Sequence, residues 1–190
     1  MSRRGQHGAG ALALLLVLVA CGASTSSGSD GPAGRVVAPA IDVAGLRGRT
    51  VDLVVDDVVK EAADPIAMAD ALTAAGFLAG SDRTLTGGSG TFSRVVLREW
   101  LFASEAGAEA FQRWVTTNAG ALIGEAVPVT PSMTGLALSV HEPTGCCHEE
   151  VPVYLGTWWD GATVWTVRAS GRRIHTAPVL ALIRSIKKET

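Results

Sequence analysis

Charge of one sign never accumulates in this 190-residue sequence: 16 basic residues stand against 18 acidic ones, and no basic run interleaves with aromatics. The electrostatic footprint on which nucleic-acid binding depends is therefore missing, and no nucleic acid is expected as a partner. Long apolar runs are also missing. The longest, Ala9 to Ala20, has about 12 residues against the roughly 20 that a bilayer span requires. Motifs of catalysis are absent as well. Gly87 to Thr91 ("GGSGT") has the wrong spacing for a nucleophile elbow and reads as a turn, no phosphate loop occurs, and "HEPTG" from His141 lacks the second histidine of a zinc-protease motif. The adjacent carboxylates Asp56-Asp57 and Glu149-Glu150 point apart on an extended chain, which suits solvated charge rather than a catalytic dyad. No catalytic residue and no cofactor are expected. Cysteine is scarce, with three in all: Cys21, Cys146 and Cys147.

What is present begins with an export signal. Arg3 and Arg4 form a basic n-region ahead of the Ala9–Ala20 run, which suits a signal-peptide h-region and shows no amphipathic period of a core helix. The run ends in Leu18-Val19-Ala20-Cys21. This tetrad resembles the lipobox of bacterial lipoproteins, with Leu18 and Ala20 at its most selective positions. The resemblance implies that residues 1–20 are a signal peptide, that Cys21 becomes the mature N-terminus, and that its thiol carries a covalent diacylglyceryl lipid. Two or more acyl chains give a stable membrane anchor where one gives a marginal one. The competing account is an ordinary secretory signal with a chance cysteine. Ser2-Arg3-Arg4 hints at a twin-arginine signal, but Gly5, Gln6 and His7 lack the apolar residues such motifs carry.

Gly22 to Arg35 is small, flexible and polar, so residues 21–35 read as a lipidated cysteine and disordered tether. The segment's reach of roughly 20 Å would hold a domain just clear of the membrane. Without Arg3 and Arg4 the mature chain has 14 basic and 18 acidic residues, a net charge of −4. Residues 36–190 then form one extracytoplasmic domain, long enough for a respectable core.

Within that domain "DPIAMADALTAAGF" has both helix ends marked: Asp64 caps, Pro65 sits in the first turn, and Gly76 terminates. The β-branched and aromatic residues from Phe92 to Ala103 predict a strand. Ser104 caps the next helix, in which Phe111 and Val115 share a face. Pro128 and Pro131 break the chain before an alternating strand with Leu136, Leu138 and Val140 on one face. "VYLGTWWDGATVWTVRAS" predicts a hairpin turning at Asp160-Gly161, pairing Trp159 with Ala162 and Gly156 with Trp165. Tyr154, Trp158, Trp165 and Val167 then form a core face, with Trp165 covering the gap at Gly156. Trp159 falls on the more polar face with Thr157, Thr166 and Arg168, and is the tryptophan suited to ligand binding. Thr176 caps a last helix striped by Val179, Leu182, Ile183 and Ile186, with Lys187 and Lys188 complementing its dipole. The segment from Arg49 to Ala62 fits either a strand or the approach to the first helix. Together these elements predict a single two-layer α+β domain, an antiparallel sheet with helices packed on one face. "AAGFLAGSDRT" and "LREWLFASEAGAEAF" further resemble a pattern in actinobacterial cell-surface lipoproteins, which implies an exported α+β domain and carries no active-site residues.

Cys146 and Cys147 stay open to three accounts. Outside the reducing cytosol two remaining thiols favour a disulfide. A vicinal one is strained, because adjacent Cα atoms lie about 3.8 Å apart across a trans peptide against a usual disulfide range of about 4.4–6.8 Å. Free or intermolecular thiols are the second account. The third is a zinc or copper site of Cys146, Cys147, His148 and His141, which requires a turn at 145–148 and matches no finger spacing. The function these features imply is a non-catalytic binding or interaction domain, held by lipid on the extracytoplasmic face of the cell membrane, whose partner is an envelope protein or a small ligand. The alternative is a thiol redox or metal-handling protein centred on the "CCH" stretch.

Overall fold

A computed structural model describes residues 43, 45–87, 90–143 and 151–189. The leader, Cys21 and the tether lie outside the described residues. In chain order the elements are β1 (Arg47–Asp52), α1 (Val55–Glu61), α2 (Pro65–Ala75), β2 (Phe77–Thr86), β3 (Arg94–Phe102), α3 (Glu105–Thr117), α4 (Ala119–Ile123), β4 (Val127–Val129), β5 (Ala137–His141), β6 (Val153–Asp160), β7 (Thr163–Ser170) and α5 (Thr176–Glu189). The strands form one antiparallel sheet in the order β1-β2-β3-β7-β6-β5-β4. The α+β antiparallel domain expected from the sequence is therefore what forms.

Local chemistry sets the helix ends. The Ala67 amide donates to Asp64 Oδ1 at 3.0 Å, and Gly76 closes α2 in the left-handed region at φ 72°. Ser104 Oγ accepts from the Gly107 amide at 3.1 Å, satisfying one of the free donors of α3. The ambiguous stretch after Arg49 is both things at once, finishing β1 and then forming α1. Two strands carry no expectation from the sequence. β2 ("FLAGSDRTLT") lacks apolar alternation, and β4 contains Pro128, which an edge strand tolerates because an outward-facing N–H is dispensable there.

The hairpin differs from expectation in its turn. Asp160 pairs with Thr163, Trp159 with Val164 and Gly156 with Val167, so the loop is Gly161-Ala162 rather than Asp160-Gly161. Two-residue hairpin loops need positive φ at their first position, and Gly161 supplies it at 53°. The correction slips the strands by two residues, an even number, so every side chain keeps its expected face. Trp158 now lies opposite Trp165, their rings stacked at 6.4 Å, and the gap at Gly156 is filled by Ile183 instead of Trp165: a Cβ there would stand 2.6 Å from Ile183 Cδ1.

Both faces of the sheet are apolar, and both are covered. On one, Val95, Leu97, Leu138, Tyr154, Trp158 and Val167 pack with Val179, Ile183 and Ile186 of α5. On the other, Trp100, Phe102, Leu155 and Val164 pack with residues of α1 to α4, including Met68, Leu72, Phe111 and Val115. Helices α1–α4 thus share one face as expected, and α5 adds a layer on the other. β6 and β7 require this, because their successive side chains are buried on both sides.

Candidate functional site

Strand β3 explains where the site lies. Its odd positions Val95 and Leu97 face α5, while Val96, Arg98 and Trp100 face the four-helix layer, with Arg94 at the start of the same row. Two arginines therefore stand on an otherwise apolar face, Arg98 beneath the helices and Arg94 at the exposed edge. Register with β7 adds a third, since Arg168 lies opposite Val96, midway between Arg94 and Arg98. Diagonal cross-strand neighbours of this kind are about 7–8 Å apart, within reach of long side chains.

These arginines edge a cleft between the sheet and the helices. Its inner end is a slot of about 40 Å³ walled by Met68, Val96, Trp100, Phe111 and Leu155, with Arg94, Arg98 and Arg168 also lining it. Its outer end is an open vestibule of about 670 Å³ between α1 and β1–β3, bordered by Arg47, Arg49, Asp57 and Asp82. Val58, Glu61, Arg94 and Arg98 line both, so the two cavities meet at these residues. At the back of the slot the Trp100 indole Nε1 donates to Thr166 Oγ1 at 3.1 Å, which satisfies two buried polar groups.

The three guanidiniums are not equivalent. Arg98 is 17% exposed and holds two carboxylates at once: Nε donates to Asp82 Oδ2 at 2.8 Å and Nη2 to Glu61 on α1. Asp82 is further fixed by Thr84 Oγ1 at 2.8 Å. Burial by itself lowers the Arg98 pKa, and the bonds and charges of Glu61 and Asp82 more than reverse it, so the group sits above its ordinary value. Among the described residues Arg94 and Arg168 have no carboxylate partner. Burial, and then the charges of Arg94 and Arg98, push Arg168 below its ordinary value, with Glu61 opposing. Arginine stays protonated throughout, so these groups attract anions but exchange no proton.

Of the residues singled out in the sequence, Cys21, Cys146, Cys147 and His148 lie outside the described residues. His141 lies on β5, its Nδ1 at 3.0 Å from the Glu125 carbonyl oxygen. Among the described residues no group of three or more His, Cys, Asp or Glu is placed to hold a metal. Trp159 is half-buried on the face covered by α1–α4 and lines a shallow hollow of about 350 Å³ with Gln112, Thr116 and Gly135. It stands apart from the arginine cleft, which it does not line. The arginines themselves were missed. The available signal was "RVVLREW", in which both alternating rows carry large apolar residues and arginine still recurs in one of them.

Among the described residues no helix is long and apolar enough to cross a membrane. No protein-family model and no curated protein matches the chain. A solved structure, the extracellular domain of PknH from Mycobacterium tuberculosis, is similar over 76% of this chain and 86% of that one, with 13% identity and a TM-score of 0.49.

Proposed function

We propose that this protein is a lipoprotein anchored through diacylglyceryl-Cys21 on the extracytoplasmic face of the cell membrane, and that its domain binds a small envelope ligand in the arginine cleft without transforming it. The observation that carries this is the cleft itself: an open vestibule tapering to an apolar slot where side chains of four helices and three strands converge. Its lining favours holding over chemistry. Val, Leu, Met, Phe and Trp offer apolar contact, the guanidiniums are fixed in charge, and Glu61 is engaged by Arg98. The lipobox tetrad and the Gly/Ser tether support the anchor.

The test joins both halves. Wild-type chain expressed in a bacterial host with labelled fatty acid should take the label and sediment with membranes, whereas Cys21→Ser should do neither. Native mass spectrometry of the released protein after exposure to envelope extract should show a noncovalent small molecule, recovered chemically unchanged. Label on Cys21→Ser, or recovery of a converted product, would overturn the proposal.

A further inference from the structure

Resting on the cleft as the binding site, we propose that its ligand is a compact amphipathic anion: a carboxylate or phosphate monoester whose head is held between Arg94 and Arg168, with a short apolar group in the slot. Three observations converge on this class. First, the charge of Arg98 is answered by Asp82 and Glu61, which leaves Arg94 and Arg168 as the slot-lining guanidiniums without a carboxylate among the described residues. They lie diagonally across β3 and β7, and their forked donors match the geometry of a carboxylate or phosphate. Second, charge accumulates only at the inner end. The slot is lined by three arginines against Glu61 alone, whereas the vestibule balances four arginines with four carboxylates. The like charges around Arg168 repel one another, and a bound anion relieves that repulsion.

Third, the slot is apolar and small. At about 40 Å³ it has room for about three waters, or an apolar group of about three or four carbons. Water at the wall of Val96, Phe111 and Met68, away from the arginines, meets few polar partners, so an apolar group replaces it favourably there. A free inorganic anion leaves the slot unfilled, and a neutral hydrocarbon leaves the arginines unanswered.

The Trp100 indole reports on the slot, and the indoles of Trp158 and Trp165 on the opposite face serve as internal controls. The experiment uses the full chain in zwitterionic nanodiscs and follows the 15N indole signals during titration with butyl phosphate, butyrate, butanol, butylammonium and inorganic phosphate. Butyl phosphate and butyrate should shift Trp100 saturably and leave Trp158 and Trp165 in place. Butanol, butylammonium and inorganic phosphate should each bind about tenfold more weakly or worse, lacking either the charge-assisted bonds or the apolar contact. Affinity should rise from ethyl to butyl phosphate and then level off. Arg94→Gln with Arg168→Gln should lose about tenfold for butyl phosphate, and the corresponding Lys pair should recover part of it. Replacing some nanodisc lipid with phosphatidic acid, whose head is a phosphate monoester, distinguishes the source of the head: a Trp100 shift on that change alone assigns it to membrane lipid, and no shift assigns it to a soluble anion. Butanol binding as tightly as butyl phosphate would overturn the anionic class while leaving the cleft a binding site. Inorganic phosphate equalling butyl phosphate would overturn the apolar part. Unaltered affinity in the Gln pair, its control indoles in place, would remove the arginines from the site. Silence of Trp100 to every probe overturns this ligand class, whereas a molecule from envelope extract that still moves it would uphold the cleft.

Discussion

Glu99 should make the protein less stable as pH rises from acid to neutral, and Glu99→Gln should abolish that loss. The carboxyl lies on β3 facing the α5 side, opposite Ser81 on β2 and Trp165 on β7. Its Oε2 is buried with no hydrogen-bond partner among the described residues. Burial therefore pushes the group from its ordinary 4.5 up to about 7. Between those values the folded chain keeps a proton that the unfolded chain has released, so stability falls as pH climbs through the window and the loss is complete above it. At about 1.36 kcal/mol per pH unit, a fully dry site would give about 3.4 kcal/mol. Glu99 keeps partial access to water, which reduces the effect to roughly 1.5 kcal/mol. Glutamine preserves the shape and polarity of the neutral acid. Urea or thermal denaturation across pH 4 to 8 should thus show the two proteins alike at pH 4. At pH 8 the variant should melt about 3–6 °C higher, as expected for a domain of this size. A difference profile flat across pH would refute the reasoning. So would a variant less stable at pH 8, because a carboxylate held in its charged form by Arg83, a diagonal neighbour on β2, gives the opposite sign.

Gly107→Ala should destabilise by about 2–4 kcal/mol in chemical denaturation, although the same change at an open helical position stabilises by about 1 kcal/mol. Its Cβ would stand 2.1 Å from the Ala75 carbonyl oxygen, where α3 crosses α2. Ser104→Ala, which removes the acceptor for the Gly107 amide, should cost about 1 kcal/mol, with Ser104→Asp restoring most of it.

Local chemistry alone settled a good deal. Asp64, Pro65 and Gly76 bracket α2, Ser104 starts α3, and the stripe of α5 follows from its period, because caps and periodicity act within a turn or two of chain. Faces of the β6–β7 hairpin were equally legible, since side chains alternate regardless of where the turn falls within an even slip. The turn position was misplaced by one residue because Asp-Gly and Gly-Ala are both competent two-residue loops, and only the pairing of Asp160 with Thr163 selects the second. β2 stayed hidden because its sheet neighbours, not its own alternation, define it: Asp82 and Ser81 are strand residues by virtue of Arg98 and Glu99 across the ladder. The cleft was the least legible part. Arg94 and Arg98 are four residues apart, but Arg168 joins them from β7 and Glu61 from α1, and nothing in the sequence between them encodes that meeting. Sequence determined which segments coil, extend and turn, because those preferences are short-ranged. Only tertiary structure decided which arginines are neutralised and which are left facing an apolar slot, because charge pairing and cavity shape depend on distances that strand register and helix packing set across the whole domain.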